Sequence, residues 1–63
     1  MRVWTIQVFY EAMDDEKRFR AETVVHVSAE NVGAAYREAA ALFAGRSDIK
    51  LGAIIPGKHM RFP

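Results

Sequence analysis

The period of the apolar residues changes from 2 to 3.6 at Ser28, and that change limits the folds open to this chain. Before Ser28 the chain alternates with a period of 2. Arg2–Glu11, RVWTIQVFYE, places Trp4, Ile6, Val8 and Tyr10 on one side and Val3, Thr5, Gln7 and Phe9 on the other. Phe19–Ser28, FRAETVVHVS, separates Phe19, Ala21, Thr23, Val25 and Val27 from Arg20, Glu22, Val24 and His26. Both runs are rich in β-branched and aromatic residues and read as strands. The polar stretch Ala12–Arg18 between them reads as the loop of a hairpin.

After Ser28 the period becomes 3.6. Val32, Ala35, Tyr36, Ala39 and Phe43 recur at helical spacing, with Leu42 beside them. Ser28 is expected to cap this helix, with Glu30 near its positive end. Gly45 is expected at C′ in a left-handed conformation, with Arg46 near the negative end. A last strand is expected over Ile49–Ile55, ended by the turn pair Pro56–Gly57. HMRFP then forms a short tail.

The order β-β-α-β predicts one α+β domain over residues 1–63, a three-stranded antiparallel sheet with one helix on one face. The last strand docks beside strand 1, giving order 2-1-3, or beside strand 2 as a parallel neighbour. The first is preferred because strand 1 carries apolar residues on both faces. The helical crossover is right-handed. Trp4, Ile6, Val8, Val25, Val27, Val32, Tyr36, Ala39, Phe43 and Leu51 form the expected core.

Sixty-three residues bury only about 60% of their unfolded surface, less than a larger domain does, and the chain has no cysteine with which to staple itself. The apolar fraction of 51% argues for folding all the same. Good packing or self-association must supply the difference. One helix shields one sheet face, so the other face, with Val3, Thr5, Phe9, Val24, His26 and Ile54, is expected to meet a partner. The expected function is therefore a non-enzymatic protein-interaction module, most simply a homodimer. Its interface comprises Phe9, Val24 and His26 from the open face and Lys58, His59, Met60, Arg61 and Phe62 from the tail.

Other chemistry reads weakly. GAIIPGKH, Gly52–His59, falls one residue short of a phosphate-binding loop. Pro56 removes an amide such a loop needs, His59 replaces the hydroxyl that holds Mg²⁺, and no helix follows. His26 and His59 lie 33 positions apart, too few ligands for a metal site. Ser28 and Ser47 have structural roles in a cap and a turn. Asp14, Asp15 and Glu16 are followed at once by KRFR and read as a solvated loop. No catalytic residue, cofactor or metal is expected.

The alternative function is nucleic-acid binding through Arg18, Arg20, Lys58 and Arg61, because cations interleaved with Phe19 and Phe62 suit stacking and phosphate contact. The net charge of +1 does not favour it. Residues 46–63 carry four cations against one acid, whereas residues 1–45 carry five against seven. No signal peptide or membrane segment is visible, and the chain reads as a complete cytoplasmic protein.

VSAENVGAAYREAAALF followed by DIKLGAIIPGKHMRFP, covering Val27–Phe62, resembles small uncharacterised accessory proteins of actinobacterial phages. That resemblance implies a role in a bacterial host cytoplasm, by binding a host protein. It supplies no catalytic residue.

Overall fold

The computed structural model describes residues 1–63. Two long strands, β1 (Arg2–Asp14) and β2 (Lys17–Ala29), pair antiparallel from Arg2↔Ala29 to Asp14↔Lys17 without a break in register. Their loop is two residues. Asp15 and Glu16 both have positive φ, 48° and 65°, the type I′ geometry that matches the twist of paired strands. The seven-residue loop expected over Ala12–Arg18 is thus mostly strand. The turn carries neither Gly nor Asn, so its usual residue signal is missing.

The helix α1 (Val32–Leu42) starts after Asn31, not at Ser28. The Asn31 Oδ1 accepts from the Ala34 amide at 2.9 Å and so caps the first turn. Ser28 belongs to β2, paired with Val3 and exposed. The strand runs one residue further, to Ala29, because that side chain is buried beneath the helix. At the other end the cap is Phe43, and Gly45, at φ 91°, lies one residue later than C′.

The last strand, β3 (Lys50–Pro56), lies antiparallel to β1, giving the order β2-β1-β3. The register shifts between Ile6 and Val8: Ile6 faces Ile54 but Val8 faces Leu51, so Gly52 and Ala53 oppose Gln7 alone. This bulge puts both Leu51 and Ile54 against the core, whereas unbroken alternation would send Ile54 to the open face. Gly52 fits because a Cβ there would lie 2.6 Å from Gln7 Oε1 and 2.8 Å from Phe9 Cε2. Gln7 Oε1 accepts from the Ala53 amide at 3.3 Å, and the Tyr36 hydroxyl donates to the Gly52 carbonyl at 2.7 Å. Helix and sheet both hold the bulge.

The helix packs mainly over β2. Its contact stripe is Ala35 and Ala39, fully buried, which lets it sit close to Trp4, Ile6, Val27 and Ala29. Trp4 Nε1 donates to the Ala29 carbonyl at 3.1 Å, satisfying the indole within the core. Of the expected core, Trp4, Ile6, Val8, Val27 and Ala39 are buried; Val25, Tyr36, Phe43 and Leu51 are half-buried. Val32 is exposed, because the helix turns its alanines and not its first valine to the sheet. Eight of the 63 residues are buried in all. The chain forms a slab 42 × 26 × 12 Å.

Candidate interaction surfaces

The face opposite the helix is not bare. Gly57, at φ 93°, reverses the chain after Pro56, and its amide donates to the Val3 carbonyl at 2.8 Å. This turn returns the tail across the sheet. The Thr5 hydroxyl donates to the Gly57 carbonyl at 2.7 Å and accepts from the His59 amide at 2.9 Å. Thr5 is 0% exposed as a result. One strand further on, His26 Nε2 donates to the His59 carbonyl at 2.6 Å. Met60, Arg61 and Phe62 then lie beside Glu22, Thr23 and Val24 around a shallow cavity of about 180 Å³.

The rest of that face is mixed, with Val3 and Met13 exposed beside polar pairs. Gln7 Nε2 donates to Glu22 Oε2 at 3.0 Å, and the Arg20 guanidinium stands 6.0 Å from the Phe9 ring centre. The expectation of a bare face is therefore corrected, and Ile54 is on the other side; Val3, Phe9 and Val24 do lie here, so the face is partly apolar as expected. A hydroxyl between two backbone groups, an amide bridging two strands, and a folded-back tail occupy it. Thr5, Gln7 and Gly57 are ordinary in the sequence; what could have flagged them is the glycine after a strand-ending proline.

Every residue expected at the interface is on or beside this face, and all but the exposed Lys58 meet another part of the chain. Val24, Met60, Arg61 and Phe62 share the cavity, and His26 holds His59. Phe9 is half-buried, away from the tail, beneath Arg20 and against Gly52. Lys58 and Arg61 are exposed, and Met60 is 87% exposed. Arg18 and Arg20, even-numbered like Glu22, Val24 and His26, lie on the same face of β2.

Other segments of interest serve the fold. In the phosphate-loop near-match, Gly52 sits in the bulge, Pro56 pairs with Trp4 and the Gly57 amide is bonded to Val3. Asp14, Asp15 and Glu16 make the hairpin tip. No three His, Asp or Glu side chains gather as a metal site requires. No helix is long and apolar enough to cross a membrane.

The helix face exposes a different region, which the sequence reading overlooked. Pairing with β3 stops at Phe9↔Lys50, so beyond it β1 and β2 project as a two-stranded arm. The arm turns Tyr10, Ala12, Phe19 and Ala21 toward the helix side, past the end of the core. Phe19 is 49% exposed, and Met13 on the other face is 66% exposed. Next to the arm, Ala40, Phe43, Arg46, Ile49 and Leu51 line a groove of about 270 Å³. Arg46 at its rim is paired with Asp48 at 2.8 Å, and Asp48 Oδ2 accepts from the Glu11 amide at 3.3 Å. The hydrogen bond from Arg46 holds the Asp48 carboxyl below its usual range.

Compared with known families, curated proteins and solved structures, the chain matches none.

Proposed function

We propose that this chain is a non-enzymatic protein-interaction module that works as a homodimer. The observation that carries the reading is the disproportion between core and surface. Seven apolar residues are buried, Ala35 and Ala39 from the helix and five from the part of the sheet under or next to it. The distal arm meanwhile holds Met13 and Phe19 in solvent. A two-stranded ribbon is marginal by itself in water, and covering its apolar side stabilises it at about 25 cal/mol per Å² buried. The ground for self-association is thus the projecting arm and the small core, in place of the tail-covered face. Light scattering over a concentration series tests it: a species of twice 7.1 kDa is expected in the micromolar range, and a single 7.1 kDa species throughout would reject it.

Nucleic-acid binding is the second reading, favoured by one observation. Arg18 and Arg20 share a sheet face with the tail that carries Lys58 and Arg61. Against it, Glu11 stands directly opposite Arg20, and Glu22 adjoins Arg61. Titration with a labelled oligonucleotide distinguishes the two: tight, steeply salt-dependent binding lost on Arg61→Ala and Lys58→Ala would put this reading first. A phage accessory role, with a host protein as partner, is a further proposal from the resemblance over Val27–Phe62.

A further inference from the structure

The two edges of the sheet are built differently. β3 is seven residues long, is bulged at Gly52 and Ala53, and ends in Pro56. Short length, bulges and proline are the usual protections against strand pairing. β2 has none of these three and only the charges of Lys17, Arg18, Arg20 and Glu22 as protection: it runs 13 residues in unbroken register without Gly or Pro. The two-residue turn makes Asp14 and Lys17 a hydrogen-bonded pair, so odd-numbered residues of β2 direct their backbone groups to β1. The opposite side of β1 agrees, since the odd-numbered Val3 and Glu11 direct theirs away from β2, to Gly57 and Asp48. Arg18, Arg20, Glu22, Val24, His26 and Ser28 therefore turn their amides and carbonyls outward. The tail makes no hydrogen bond to them, although Met60, Arg61 and Phe62 lie beside Glu22, Thr23 and Val24; its one backbone–backbone bond is from Gly57 to Val3.

We propose that the free edge of β2 is the dimer seam, pairing antiparallel with β2 of a second copy about a two-fold axis at Thr23. This rests on the self-association reading above and names its surface. The occupant is a second copy because the strand is complementary to itself. Full overlap of Lys17–Ala29 sets Thr23 against Thr23, Ala21 against Val25 and Phe19 against Val27 on the helix face. On the tail face it sets Arg18 against Ser28, Arg20 against His26 and Glu22 against Val24. No like formal charges stand directly opposite, and Thr–Thr and aromatic–β-branched pairs are favourable cross-strand neighbours. A register two residues shorter toward the tip would put Glu22 against Glu22. The seam also gives each exposed Phe19 a neighbour, the partner's Val27, which lies under the partner's α1. The product is a continuous six-stranded sheet.

Two measurements test this. Amide exchange is followed residue by residue at rising protein concentration. The outward amides of Arg20, Glu22, Val24 and His26 are expected to slow as the dimer forms, while the inward ones are protected throughout. Thr23, exposed and at the axis, is then replaced. Thr23→Lys and Thr23→Glu are each expected to weaken association about fivefold, and an equimolar mixture to recover it as a heterodimer. A dimer whose outward amides keep exchanging freely, or one indifferent to Thr23→Lys, overturns the β2 seam and leaves self-association standing. A chain that stays monomeric overturns both. Slowing of the same amides only on addition of an unrelated extended peptide would assign the edge to a foreign strand, and this proposal would fall.

Discussion

At the scale of single residues, the fold depends on a few side chains that bridge backbone groups. Thr5 holds both the Gly57 carbonyl and the His59 amide while fully buried. Thr5→Val keeps the shape and strands both partners. The expected loss is about 1–3 kcal/mol in urea unfolding, with faster exchange of the His59 amide. Unchanged stability and exchange would show that the tail is held by other means. Glu16 is the reverse case, an L-residue at φ 65° in the hairpin turn. Glu16→Gly relieves that conformation and is expected to stabilise the hairpin by about 1 kcal/mol, read as a higher unfolding midpoint. Neither role was legible in the sequence. A threonine in an alternating strand says nothing of what lies 52 positions away, and a Asp–Glu dipeptide does not announce a type I′ turn.

At the scale of elements, periodicity carried most of what could be read. The alternation around Trp4, Ile6 and Val8 and around Val25 and Val27 assigned both long strands and their faces. The helical spacing of Ala35 and Ala39 assigned the helix and its contact side. Boundaries fared worse, because tertiary contacts set them: burial of Ala29 extends β2 past Ser28 and passes the cap to Asn31. The bulge was invisible for a similar reason. It depends on Gln7 and Tyr36 meeting the backbone of Gly52 and Ala53, and a strict period of 2 sends Ile54 to the wrong face. Gly52→Ala places a methyl group against Gln7 and Phe9, and loss of about 1–3 kcal/mol is expected in the same unfolding assay. The loop from α1 to β3 is closed by Arg46 and Asp48, whose carboxyl also receives the Glu11 amide. Since the folded state lowers the Asp48 pKa, that contribution is present above the ordinary carboxylate range. It is lost as the pH falls through the lowered value. Asp48→Asn is therefore expected to flatten the acid limb of a stability–pH profile, slightly, because the partner Arg46 is solvent-exposed.

At the scale of the whole molecule, a slab 12 Å thick with eight buried residues has little interior of its own. The tail reduces the shortage on one face by covering Thr5, and the interface expected there is partly spent on the chain itself. That part of the candidate site was legible as residue types and not as geometry: Val24, His26, Met60 and Phe62 do come together, through contacts no spacing rule foretells. The shortage persists along the projecting arm, where Phe19 waits for a neighbour. If a second copy provides it, folding and association are linked, and stability must depend on protein concentration. Equilibrium unfolding in urea, followed by the fluorescence of Trp4 at two concentrations about a hundredfold apart, reads this directly. The midpoint is expected to rise with concentration; superimposable curves would show that folding and association are not linked.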